Sequence, residues 1–305
     1  NLFVDRNVLI VTTKGKHKEM DKEYKTTGAA WNEKIPLTVL VNHLSASASE
    51  IVAGTMQDLD RGVIIGEKSY GKGLVQITRS LGYNASLKLT IAKYYTPSGR
   101  CIQAIDYSHR NADGSAGKTA DSLIKTFYTK AGRPVKSGGG VLPDVKMEDT
   151  YPSKIAIALY TKNYLFDYAT IYAKEHSTVS PVATFAINDA DFNRFVQFLH
   201  NKDYSYKTET ETLLDSLKQA AIQEKYYDAA KADIASLQKK VSHDKQQDLL
   251  KNKAEIMRIL ENEIISRYYF QKGRIVQALR HDDDLKKANA LLADNTQYLA
   301  LLKKK

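Results

Sequence analysis

Three side chains in the first hundred residues could together perform acyl transfer: a serine of Ser45-Ala46-Ser47-Ala48-Ser49-Glu50, the nearby His43, and the lysine of Gly71-Lys72-Gly73. A serine hydroxyl becomes a nucleophile only when a base stands beside it. The serine segment lies where an apolar run, Leu37 to Val41, gives way to a helical pattern. Small residues there permit a tight turn and close approach of a substrate. The first helical N–H groups are unpaired and sit at the positive end of the helix dipole, where an oxyanion would be stabilised. Ser47 and Glu50 are also spaced as a capping box, so this segment alone reads equally well as an ordinary helix start.

Reach weighs against one candidate base. A Ser/His/Asp arrangement would join Ser47, His43 and Asp58, but Asp58 lies roughly 16 Å along the helix from Ser47, and one imidazole does not bridge that span. Asp58 is expected to be structural, paired with Arg61. A lysine serves as base when a dry, apolar pocket strips the stabilisation from its ammonium. Lys72, between two glycines, can pack closely, and Gln76 four residues on could hydrogen-bond its amine. Cys101 is the only cysteine, which excludes an internal disulfide and a zinc site built on several thiolates. It is expected to be a small, buried or half-buried thiol, and pairing with His109 as a cysteine nucleophile is disfavoured.

The elements that must position these residues follow from periodicity. Val8 to Val11, Leu37 to Val41 and Val63 to Gly66 are apolar runs of buried-strand length, the first two separated by a polar stretch from Thr12 to Lys34. Ile51, Val52, Thr55, Met56 and Leu59 recur at helical steps. Strand, helix and strand in succession predict a β-α-β unit with parallel pairing, which carries the chain from Ser47 to Lys72 along one sheet edge. Val75 to Ser80 and Ser86 to Ala92 form a hairpin around Gly82-Tyr83-Asn84. Thr96 to Gly99 is a turn, and Asp106 to Gly140 a long loop or excursion. Beyond residue 151 the pattern is helical: Tyr151 to Glu175, Asp189 to His200, and Thr208 to the end. There Leu249, Ile256, Leu260, Ile264 and Tyr268 mark one face.

Taken together, Ser45 to Gly54, Gln57-Asp58, Tyr70-Gly71-Lys72-Gly73, Val75-Gln76, Tyr94 to Arg100, Ile102-Gln103 and Gly138 to Val145 resemble the core of the carboxy-terminal processing (tail-specific) serine proteases of Ser/Lys type, over roughly residues 1 to 146. The resemblance implies Ser47 as nucleophile, Lys72 as general base, Gln76 as the residue orienting it, and the Ala48 backbone N–H as an oxyanion donor. It implies an α/β fold: a crotonase-like β-α spiral protease core over residues 1–150, N-terminally incomplete, then an all-α C-terminal domain over 151–305. In the family, a glycine-containing loop with the other oxyanion donor, and a PDZ domain, precede the point where this chain opens. The piece alone is therefore expected to show little peptidase activity. Arg267-Tyr268-Tyr269 and Gly273-Arg274 are similar to extensions of larger members.

Bulk composition agrees with a folded protein: 43% hydrophobic and 26% charged residues over 305 positions, enough for two domains. No apolar run approaches the roughly 18 residues of a membrane span. The net charge of +10 is spread among acids, so no nucleic-acid partner is expected, and only Lys303-Lys304-Lys305 is a pure basic run. No cofactor or metal is implied. Protein or peptide substrates are, with a homo-oligomer or adaptor contact through the helical domain. By resemblance the protein is exported, to the bacterial periplasm or cell envelope. The competing expectation is an inactive protease-like scaffold whose helical domain docks partners.

Overall fold

The computed structural model describes residues 1–111, 113–148, 151–241 and 245–303. Lys304, Lys305, Thr150 at the expected domain boundary and the side chain of His109 lie outside the described residues. The chain divides into two compact units, one of Asn1–Asp149 with Asp283–Lys305, the other Thr150–Asp282. The expected boundary assigns everything after residue 151 to the helical domain, whereas the segment from Asp283 onward groups with the first unit.

In chain order the first unit contains β1 (Leu9–Gly15), β2 (Lys22–Lys25), β3 (Thr38–Val41), α1 (Ala48–Asp58), β4 (Val63–Gly66), β5 (Leu74–Gly82), β6 (Ala85–Tyr95), β7 (Ile105–Arg110), β8 (Ala116–Lys118), β9 (Thr126–Tyr128), β10 (Pro134–Lys136) and β11 (Val145–Lys146). The second unit contains α2 (Lys154–Thr161), α3 (Tyr164–Glu175), α4 (Asp189–Phe198), α5 (Glu209–Gln223), α6 (Tyr227–Val241), α7 (Lys245–Lys251) and α8 (Lys253–Leu279). Then α9 (Asp283–Ala293) and α10 (Asn295–Leu301) complete the first.

The β3–α1–β4 unit forms as the apolar runs require, with β3 and β4 parallel and Thr38 opposite Val63 through Val41 opposite Gly66. β11 adds to the other side of β4, also parallel. Successive side chains of a strand point to opposite faces. Ile64 accordingly packs with Ala53 of α1, Val41, Ile102 and Val141, while Val63 and Ile65 pack with Ala288, Leu291 and Tyr298 of the C-terminal helices. A strand apolar at every position is one buried on both faces. That is why α9 and α10 belong to the first unit.

A second, antiparallel sheet has the order β2-β1-β6-β5. Its long β5–β6 hairpin turns through Tyr83 and Asn84, both at positive φ, which matches the strand twist. Two stretches hold more structure than their sequences suggest: the polar segment after Thr12 supplies the rest of β1 and β2, and the excursion after Asp106 folds into the pairs β7–β8 and β9–β10. β2, β8, β9 and β10, of three or four residues each, are too short to display a period.

The second unit buries Leu159, Leu165, Phe192, Phe195, Leu249, Ile256, Leu260 and Ile264 in one core, with Tyr268 packed against it, so the marked face is the buried one. The run from Tyr151 to Glu175 splits into two helices at Asn163, whose left-handed conformation ends the first. Ser153, Asn188 and Thr208 cap their helices with side-chain oxygens. Among the described residues no helix is long and apolar enough to cross a membrane.

Candidate active site

Ser47 stands at the N-cap of α1, with φ 56° and ψ −117°. A non-glycine residue in this region carries strain, and a strained serine on a strand-to-helix turn projects its hydroxyl away from the sheet. Ala48 is the first helical residue, so its N–H has no intrahelical acceptor, and among the described residues nothing bonds it.

Lys72 follows β4 on the loop that leads into β5. The glycines on either side are required by close packing. A Cβ on Gly71, at φ +87°, would meet the Ala104 Cβ at 2.3 Å, and one on Gly73 would come within 2.9 Å of the Gln103 nitrogen. Gln103 fixes this loop, its Oε1 accepting the Gly73 N–H at 2.6 Å, while the Gly71 carbonyl accepts from the Ala104 N–H at 2.8 Å.

The parallel pairing of β3 with β4 brings the serine and lysine loops side by side, and two buried side chains then join them. Glu50 is fully buried. Its Oε2 accepts the backbone N–H of Ser47 at 3.0 Å and that of Lys72 at 2.8 Å, while Oε1 accepts the Ser69 hydroxyl at 2.5 Å and the Gly71 N–H at 2.6 Å. A carboxylate at a helix N-terminus with four donors is well compensated for its burial. The Tyr94 hydroxyl donates to the Lys72 carbonyl and lies 3.2 Å from that of Ser47. Burial, and then the Glu50 charge, hold the Tyr94 phenol above its ordinary range, so it remains a donor.

Lys72 and Gln76 line one cavity of about 460 Å³ with Leu44, Ala46, Ile105 and Tyr107. The expected dry setting of the lysine is not seen: Lys72 is solvent-exposed. Nor does Gln76 hold the amine, because its Nε2 donates to the Thr90 hydroxyl at 3.2 Å, next to an irregularity between Val75 and Gln76 in the β5–β6 ladder. Among the described residues no hydrogen bond joins the Ser47 hydroxyl to the Lys72 amine. The main chain is thus locked around Glu50, while the Lys72 and Gln76 side chains are exposed and Ser47 is half-buried.

His43 faces Glu67, Nδ1 to Oε2 at 2.6 Å. Asp58 is buried against Arg100, 2.9 Å from its guanidinium, and accepts the Ser98 N–H at 2.9 Å. Its partner is therefore Arg100 and not Arg61, which donates to the carbonyls of Phe3 and Asn32. Cys101 is half-buried, and burial pushes its thiol up. Sequence reasoning reads Glu50 only as a cap and passes over Tyr94, Ser69 and the buried role of Gln103. The Ser-x-x-Glu spacing contains the signal for Glu50, but its second set of donors comes from a distant loop.

With this geometry in view, residues 1–109 match the model of peptidase family S41, and residues 155–292 that of the C-terminal helical domain of a probable PDZ-protease. A carboxy-terminal-processing protease of Bartonella bacilliformis is 48% identical over 103 residues, 34% of this chain and 24% of that protein. A probable CtpA-like serine protease of Staphylococcus epidermidis is 39% identical over 105 residues, 33% of this chain and 21% of that protein. The solved photosystem II D1 C-terminal processing protease is 29% identical, with a TM-score of 0.34 over 48% of this chain and 29% of that one, a likeness that carries no argument. Residues 1–109 are thus similar to peptidase family S41, and the chain spans about a quarter of the length of the curated relatives it matches.

Proposed function

We propose that this chain carries the Ser/Lys dyad of an endopeptidase that trims C-terminal tails or unfolded segments of exported proteins in the bacterial periplasm or cell envelope. The observation that supports this best is the single Glu50 oxygen shared by the N–H groups of Ser47 and Lys72. It holds the two backbone nitrogens no more than about 6 Å apart, within the length of a lysine side chain. The relatives' names supply the substrate class.

In this reading the neutral Lys72 amine takes the Ser47 proton as Oγ attacks the peptide carbonyl. The resulting oxyanion lies toward the Ala48 N–H. The Lys72 ammonium then protonates the leaving amine, which departs and leaves an acyl-serine. Water, losing a proton to Lys72, attacks the ester; the acyl–Oγ bond breaks, the Lys72 ammonium returns the proton to the Ser47 oxygen, and the acid departs. Because Lys72 is exposed in the free chain, its dry setting comes with substrate: a peptide in the adjoining cavity covers the amine and excludes water from it. Gln76 turns from Thr90 to the amine in the same step. The helical unit is the surface for a homo-oligomer or adaptor contact.

An inactive scaffold would have no need of a buried carboxylate that aligns the serine and lysine loops. Digestion of casein by the full-length protein tests the proposal. Ser47→Ala and Lys72→Ala should each abolish cleavage without loss of helical signal, and the wild-type rate should rise with pH to a plateau. Full activity in Lys72→Ala would transfer the role of base, with His43 the first alternative.

A further inference from the structure

A larger cavity of about 710 Å³ opens beside the Lys72 cavity, and Leu74, Gln103, Ile105 and Tyr107 line both. Its wall carries two lysines, Lys93 and Lys125, with Tyr95, Phe127, Leu123 and Cys101. Among the described residues neither lysine has an ion-pair partner, and the acid at the wall, Asp106, has an interaction of its own. Both positions are held by backbone. Lys93 on β6 stands opposite Leu74, two residues beyond Lys72. The main chain of Lys125 is bonded to Ser137 from both sides, its N–H to the serine hydroxyl and its carbonyl to the serine N–H, each at 3.0 Å.

Two cations without an ion pair, on a wall that mixes aromatic and aliphatic side chains with Thr90, Thr119, Ser137 and one acid, suit a ligand that is largely apolar along its length and anionic at one point. The size is that of a pocket for a short peptide segment. The wall shared with the Lys72 cavity leads toward Lys72 and Ala46, the residue before Ser47, so a chain bound there would run to the dyad. We propose that this second cavity binds a carboxylate of the substrate peptide, terminal or side-chain, through Lys93 and Lys125, and thereby sets which peptide bond reaches Ser47. The proposal rests on the peptidase reading for its meaning, although the binding event does not require turnover.

The test uses the full chain carrying Ser47→Ala, so that no peptide is consumed. Three fluorescent apolar peptides of one sequence serve as probes: with a free C-terminal carboxylate, with the terminus amidated, and amidated with one internal glutamate. Fluorescence anisotropy should show the free acid binding about tenfold more tightly than the amide, the worth of one charge-assisted contact. The acid should also slow alkylation of Cys101, the only thiol in the chain. In Lys93→Gln/Lys125→Gln the acid and amide should bind alike. Recovery of affinity by the internal glutamate identifies a side-chain carboxylate as sufficient; failure to recover assigns the site to the chain terminus. Equal affinity of acid and amide for the parent chain, an acid preference that survives the double substitution, or Cys101 alkylation unaffected by saturating peptide would each overturn the proposal. Failure of casein cleavage would instead strike only the peptidase reading.

Discussion

The backbone N–H groups of Ser47 and Lys72 donate to one and the same oxygen, Oε2 of Glu50, although the two residues lie on different loops. Tyr94 repeats the link from the other side through the two carbonyls. Strand pairing alone positions loops only approximately, since it ends at Val41 and Gly66. The buried carboxylate converts that approximate neighbourhood into a fixed one.

Replacing Glu50 by glutamine should therefore be costly. The amide presents its own donors to some of the four that now point at the carboxylate, and stability should fall by roughly 3 kcal/mol, as expected when buried donors lose a charged acceptor. Urea unfolding measures this. Casein turnover should fall more than substrate affinity, and Glu50→Asp should recover part of both. Unchanged stability and turnover in Glu50→Gln would remove Glu50 from the account.

The strain at Ser47 makes a separate prediction. Both Ser47→Ala and Ser47→Gly remove the hydroxyl, but only glycine adopts φ 56°, ψ −117° without penalty. Ser47→Gly should be the more stable of the two by about 1 kcal/mol. An alanine variant as stable as the glycine one would mean that the turn relaxes in solution.

The Asp58–Arg100 pair tests whether Asp58 is structural. Arg100→Ala leaves a buried carboxylate unpaired and should cost about 3–5 kcal/mol, whereas Arg100→Met combined with Asp58→Asn should recover much of that loss. Thermal melts of the single and double variants decide it.

The C-terminal helices should matter to the first unit. The Tyr298 hydroxyl accepts the Leu37 N–H at 2.9 Å and donates to the Leu37 carbonyl at 3.1 Å, just before β3. Tyr298→Phe should destabilise by about 1 kcal/mol. Removal of residues 283–305 would expose Val63 and Ile65 and should make β3 and β4 sensitive to proteolysis. A truncated chain as resistant as the whole one would show that the helices are dispensable.

In the second unit the buried Tyr168 phenol is raised from 10.0 to about 12, first by burial and then by Asp191. The folded state thus holds this proton more tightly than the unfolded state, so the contribution is complete below pH 10 and is lost as pH rises toward 12. Chemical unfolding across that range should show stability declining, with a shallower slope in Tyr168→Phe. An identical slope in the two proteins would remove Tyr168 from the alkaline transition.

Much of this was legible in the residues themselves. Apolar runs of strand length, the helical recurrence from Ile51 and the turn at Tyr83-Asn84 specify local structure through periods and turn chemistry, which need no distant partner. The serine segment and the loop glycines around Lys72 mark candidate residues by type and order, and the roles expected of Ser47, Lys72 and Gln76 come from the resemblance to the Ser/Lys peptidases. The buried face from Leu249 to Tyr268 is likewise written in its spacing.

Other features have no local signature. Glu50 looks like a cap because the sequence shows only its near donor, whereas Ser69, Gly71 and Lys72 reach it after β4 pairs with β3. Asp58 takes Arg100 because burial brings that guanidinium to it, while the nearer Arg61 is occupied by carbonyls. The helices from Asp283 onward pattern like those before them, and only the uncovered face of Val63 and Ile65 decides which unit they join. Lys72 reads as a residue for a dry pocket, yet exposure depends on what the folded surface covers. Composition and period determine which segments form. Partners far apart in the chain are chosen by burial and by the need to satisfy buried charge, and those conditions exist only in the folded molecule.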